Sequence, residues 1–169
     1  MLNRLFSIFL LRGRPQDLPA SPALAWLAAL AAAGTALLIR LPNVDLGRNL
    51  ASAFGEVLLF GAMVWGVLRL RGFPARWLQT ITPLYAGVAV QNLVVFPVLL
   101  AGGISLETGE LGPASLVLVA VGIWFLALMA HVLRHALELG LGVSLLITLA
   151  CLFTLAIVML VLFPPPVSG

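Results

Sequence analysis

The chain has 169 residues, of which 62% are hydrophobic and only 9% charged, and its mean hydropathy is +1.16. A soluble domain carries roughly 25% charged residues to cover its core, so the composition excludes a soluble enzyme, a nucleic-acid-binding domain and a disordered tail. The net charge of +3 comes from nine basic residues, all Arg and scattered along the chain, which suits membrane edges better than a phosphate-binding stripe and gives no reason to expect nucleic acid as a partner.

Residues 1–14, MLNRLFSIFLLRGR, place a short apolar run before Arg12 and Arg14. No small-residue cleavage site follows, so the segment does not read as a signal peptide. On a helical wheel Asn3, Arg4 and Ser7 share one side, while Leu2, Phe6, Phe9 and Leu10 cover much of the rest. The pattern predicts an interfacial amphipathic helix over 1–14, with Arg turned to the headgroups. Gly13 and Pro15 end it, and RPQDLPASP follows as a Pro-rich connector.

Residues 15–169 read as a single transmembrane domain. A helix needs about 20 apolar residues to cross the hydrocarbon core, and five stretches qualify: about 22–39, 50–68, 81–101, 115–133 and 143–163. Ser21 is placed to cap the first span and Pro22 suits its first position, while Arg40, Pro42 and Asn43 close it. Arg69 and Arg71 close the second, and Gly102-Gly103 follows the third. The fourth is expected to continue to Leu139 before a turn at Gly140 and Gly142, and the fifth stops at Pro164–Pro166. Backbone groups in lipid must be satisfied internally, so each span should be helical. The fold class is therefore all-α: a polytopic transmembrane helical bundle of five spans plus the N-terminal interfacial helix.

Arg4, Arg12, Arg14, Arg69, Arg71, Arg76 and Arg134 fall on one side of this layout, and Arg40 and Arg48 on the other. The excess predicts a cytoplasmic N-terminus and an external C-terminus. The loop with Glu107 and Glu110 then lies outside. The absence of Lys fits a GC-rich bacterial genome, and the expected location is the bacterial inner membrane. Trp26, Trp65, Trp77 and Trp124 are candidate interfacial anchors, and Trp65 and Trp124 serve equally as packing residues. Small residues at four-residue spacing, Ala28, Ala32 and Ala36, and Ala62 with Gly66, predict close helix packing. Cys151 lies in an apolar run and reads as a packing residue.

Five spans, the RPQDLP approach to the first and the stretch GIWFLALMAHVLRHALELGLGVSLLITLACLFTL together resemble the Yip1 family of membrane proteins. The layout matches over residues 12–163 and the residue detail over 124–155, where Trp124 leads through His131 and His135 to a Gly-rich turn and the last helix. Eukaryotic members of that family are associated with vesicle traffic and small GTPases. The long polar N-terminal region of those proteins has no counterpart in this chain, so partner binding through it is not implied. The family supplies no catalytic residue to carry over.

Two polar groups stand out. His131, Arg134, His135 and Glu138 lie within HVLRHALE, and the two His are four apart on one helix face. With no further His in the chain, the group reads as an interfacial helix end that meets headgroups, water and itself rather than as a metal or haem site. Glu56, Gln91 and Asn92 lie inside spans two and three at similar depth. They read as an interhelical clasp between those spans, or else as the core of a proton or small-ligand pathway. No phosphate loop, nucleophile elbow or hydrolase pair of carboxylates is present, so neither enzyme activity nor a cofactor is expected. The lead expectation is a non-enzymatic protein that organises or supports other membrane proteins, in contact with the bilayer and with other membrane proteins or copies of itself. The alternatives are an accessory subunit of a larger membrane complex, such as a respiratory or ion-translocating redox assembly, and a small oligomeric transporter or pore.

Overall fold

The structure, a computed structural model, describes residues 2–40, 45–100 and 113–164. Its elements are α1 (Leu2–Phe9), α2 (Pro22–Arg40), α3 (Leu46–Leu70), α4 (Trp77–Leu100), α5 (Pro113–Leu137) and α6 (Leu141–Leu162), with short 3-10 turns at Pro15–Asp17 and Pro74–Arg76. The last five are long and apolar enough to cross a bilayer, so the protein is an all-α membrane protein. The expected breaks at Pro42 and Asn43 and at Gly102-Gly103, and the loop with Glu107 and Glu110, lie outside the described residues.

Local chemistry sets the helix ends. The Leu24 N–H donates to Ser21 Oγ, and Pro22 occupies the first turn of α2. Asp45 caps α3 by accepting from the Arg48 N–H at 3.0 Å. Helix α3 ends with Gly72 at φ 81° and a bond from the Phe73 N–H to the Leu68 carbonyl, a Schellman motif that needs a residue in the left-handed region. α1 and α5 end the same way without glycine, through Leu11 at φ 59° and Glu138 at φ 56°. α5 therefore stops at Leu137 rather than running on to Leu139, as the sequence suggested. The amphipathic helix is likewise shorter than residues 1–14, because the chain turns after Phe9. Ile8 is fully buried beneath it, whereas Leu2 and Phe6 are exposed, so α1 lies against the bundle with an apolar edge left for lipid.

The five long helices form a ring in the order α2, α3, α6, α5, α4, closed by α4 against α2. The α2–α4 pair is the most extensive. α2 buries only alanines in it, including Ala28, Ala32 and Ala36, so the two backbones approach closely without a hydrophobic drive from large side chains. Spans two and three do touch, as the expected clasp between them requires, but α3 lies more extensively along α2 and α6. The expected Ala62–Gly66 pair also shifts. Ala62 faces outward, and the close approach occurs one residue earlier, at buried Gly61.

Packing is uneven along the bundle. Val64, Leu68, Ile81, Leu84, Leu128, Met129, Leu133 and Leu137 are fully buried and all belong to the half nearer α1. The other half opens around a central cavity. Hydroxyl side chains within the helices bond to their own backbone, as with Thr148 to Ser144 and Thr82 to Leu78, so they enter apolar surroundings already satisfied.

Candidate functional site

Two polar regions sit at opposite ends of the bundle. At the α1 end, side chains of α4 and α5 hold the N-terminal segment by its backbone. Trp124 Nε1 donates to the Phe9 carbonyl at 3.1 Å, and the Phe9 and Trp124 rings meet edge-on. His131 Nε2 lies 2.8 Å from the Gly13 carbonyl, which can only accept, so that nitrogen carries the proton. Gln79 Nε2 reaches the carbonyls of Gln16 and Leu18, at 3.2 and 2.8 Å. Gln16 in turn donates to the His135 carbonyl at 2.7 Å. Arg76 donates to the Ala136 carbonyl at 3.0 Å and pairs with Glu138 at 2.6 Å. The Pro-rich connector is thus a strap bound across the bundle.

The expected cluster of His131, Arg134, His135 and Glu138 is present at this end, but its members work separately. The His131 and His135 rings stand 4.7 Å apart, edge-on. Arg134 contributes its carbonyl, which accepts from the Leu139 N–H in the helix cap. Glu138 pairs with Arg76. Among the described residues no group of three or more His, Cys, Asp or Glu assembles that could hold a metal ion. The sequence reading missed Gln16 and Gln79. A glutamine at the start of an apolar span is a signal for such a bond, but its partner is backbone, which no residue pattern identifies.

At the other end, a cavity of about 340 Å³ is lined from all five long helices. Its wall includes Ala32 and Ala36 of α2, Glu56 and Phe60 of α3, Tyr85, Gln91 and Asn92 of α4, Gly122 and Phe125 of α5, and Leu152 of α6. Glu56, Gln91 and Asn92 therefore do share one space, but the direct clasp is not formed. Glu56 instead pairs with Arg40 at 2.5 Å, and Asn92 Nδ2 donates to Thr35 Oγ1 at 3.3 Å. The physical reason is the packing order. α2 lies between α3 and α4 in the ring and offers both polar side chains a partner. Arg40, on the last residue of α2, turns back along its own helix, with Nη1 on the Ala36 carbonyl and Nη2 on Glu56. The true α3–α4 link is aromatic: Tyr85 donates to the Val57 carbonyl at 2.6 Å and Trp77 to the Gly61 carbonyl at 3.2 Å.

A second, more apolar hollow of about 410 Å³ lies between α2, α3 and α4, with Trp26, Trp65 and Trp77 on its walls. Arg69 stacks over the Trp65 ring at 5.2 Å, as expected for an aromatic residue near a charged membrane edge. No family model, curated protein or solved structure matches the chain.

Proposed function

We propose that the protein is a non-enzymatic integral membrane protein of the bacterial inner membrane, N-terminus cytoplasmic, that supports or organises other membrane proteins through its helix bundle. The observation that carries this reading is the use of polar side chains at the α1 end. Trp124, His131 and Gln79 each donate to a main-chain carbonyl of the N-terminal segment, and Arg76 to one of α5, so the residues best suited to chemistry there are taken up in holding the fold. The outer faces of the bundle, with Trp26 on α2 and Leu146, Phe153 and Val161 on α6, are apolar and exposed, and fit either lipid or a neighbouring transmembrane helix. A Yip1-like role belongs to this proposal and rests on RPQDLP and residues 124–155 of the sequence. Affinity purification in mild detergent, followed by native electrophoresis and mass spectrometry, tests it. A reproducible set of membrane-protein partners is expected. Comigration with one large assembly selects the accessory-subunit reading, and recovery of the chain alone counts against both.

The cavity favours a second reading, a small oligomeric transporter or pore using Glu56, Gln91 and Asn92. Within one chain Phe60 and Phe125 are buried at the cavity's base and the fully buried core lies beyond them, so passage requires rearrangement or an oligomer. Substrate flux in proteoliposomes of the pure protein would place this reading first.

A further inference from the structure

We infer that the central cavity is a binding site for a small lipophilic amine or quaternary ammonium compound, with Glu56 as the counter-charge and Arg40 as the side chain it displaces. The cavity volume of about 340 Å³ lies within the range of roughly 300–1,000 Å³ usual for small-molecule sites. Its chemistry is one-sided. Glu56 is the one charged side chain among the described wall residues, because Arg40 approaches the carboxylate from outside the wall. Gln91 and Asn92 add carboxamides to the wall. Asn92 has one amide N–H on Thr35, and its carbonyl oxygen can accept from a ligand. Tyr85 donates its O–H to Val57, so its oxygen has only lone pairs to offer. Gln91 has no hydrogen-bond partner among the described residues, so both its carbonyl and its amide N–H groups are open to a ligand. Three aromatic rings, Phe60, Tyr85 and Phe125, complete the wall.

A cation out of bulk water needs a counter-charge and gains from aromatic faces, and this wall provides both. An anion would meet the Glu56 carboxylate. A purely apolar molecule would leave the Gln91 amide unmatched.

Arg40 can yield its place. It ends α2, its side chain is 27% exposed, and a long Arg side chain at a helix end can extend to the membrane edge instead. Binding then exchanges one ion pair for another, and Arg40 acts as a built-in competitor.

The test uses the full chain in detergent and equilibrium dialysis with labelled benzyltrimethylammonium. Neopentylbenzene, of nearly the same shape without the charge, serves as competitor. Saturable binding of the cation is expected, with little displacement by the neutral compound. Glu56→Gln should weaken binding by about tenfold or more, the scale of losing a charged partner. Arg40→Gln should tighten it several-fold by freeing the carboxylate. Gly122→Leu should abolish it. A Cβ on Gly122 meets nothing within 4 Å, so the larger side chain grows into the cavity without disturbing Glu56. Circular dichroism and monodispersity check folding, and should Glu56→Gln fail to fold, Gly122→Leu and the neutral competitor still decide. Absence of saturable binding, equal binding by Gly122→Leu, equal potency of neopentylbenzene, or weaker binding by Arg40→Gln would each overturn the inference. Partner capture by Gly122→Leu protein should be unchanged, which separates failure here from failure of the supporting-protein reading.

Discussion

Tyr85 leaves no room for a side chain at Gly61. A Cβ built there collides with the phenolic oxygen, and that oxygen is held by its bond to the Val57 carbonyl in a ring that is only 6% exposed. Gly61→Ala should therefore destabilise the protein in detergent by about 1–3 kcal/mol, the range for overpacking. In a Tyr85→Phe background the obstructing oxygen is gone, and the same substitution should cost measurably less. Gly34→Ala is the control: nothing lies within 4 Å of its added Cβ, so stability should hold or rise by up to about 1 kcal/mol. Thermal unfolding of the four variants measures all of these. The intramembrane charges give a second prediction at this scale. Arg40 and Glu56 touch, so Arg40→Gln and Glu56→Gln should be non-additive in stability, with a coupling of about 0.5–1 kcal/mol because both side chains are partly exposed. Glu56→Gln with Gln91→Leu, whose side chains line one cavity without bonding each other, should couple less than that pair. Strong coupling in the second cycle and none in the first would restore the direct clasp that the residue pattern suggested.

The strap and α1 are anchored to the bundle at few points: Ile8 and Leu18 enter the core that α3, α4 and α5 share, and individual hydrogen bonds and the edge contact of Phe9 on Trp124 hold the rest. Gln16 Oε1 is buried without a hydrogen-bond partner, at a cost of about 1–3 kcal/mol. The strap should therefore open before the bundle does. Arg12 is exposed on it and reports that opening through trypsin cleavage of the Arg12–Gly13 bond. His131→Ala combined with Gln79→Ala removes three bonds to the strap, each worth about 1 kcal/mol. Cleavage after Arg12 should accelerate at least tenfold, while the unfolding temperature of the bundle changes little. Equal cleavage rates would mean that these bonds do not hold the strap. The sequence made the existence of every spanning helix legible, because an apolar run bounded by Arg, Gly or Pro has only one solution in lipid, but not every end: α3 runs over Leu46–Leu70 where 50–68 was expected, and α4 begins at Trp77 rather than at 81. It also made the N-terminal helix legible through its wheel. What stayed hidden was partnership. Glu56, Gln91 and Asn92 were correctly grouped by depth, but depth does not say which helix stands between two others. Arg40 looked like a span terminator, and nothing in its neighbours shows that it folds back by a turn. The strap was read as a connector because its partners are carbonyls.

At the scale of the whole molecule, length and charge are both asymmetric. α2 has 19 residues and α3 has 25, about 28 and 38 Å at 1.5 Å per residue, so α2 barely spans a core about 30 Å thick while α3 overreaches it. The shortfall sets Arg40 at the mouth of the cavity, within reach of a carboxylate ten residues inside α3. The charge is divided just as unevenly. Among the described residues, seven Arg less Asp17 and Glu138 put +5 at the α1 end, and Arg40 and Arg48 only balance Asp45 and Glu56 at the other. Basic residues close to span ends are retained in the cytoplasm, whereas acidic ones count for little, so the relevant contrast is seven Arg against two. Arg40 weakens the minority further, because its charge is matched by Glu56. The expected topology is therefore N-terminus in and C-terminus out. A reporter active only outside the cytoplasm should be silent when fused after Gly72, at the turn that ends α3, and active when fused after Gly169. Inserting two Arg after Asp45 while changing Arg69 and Arg71 to Gln narrows the contrast to five against four, and should produce a mixed population with signal at both sites. The reverse pattern in the unmodified protein, or signal at neither site, would mean that a span has been miscounted. In that case the cavity mouth would face the other side of the membrane.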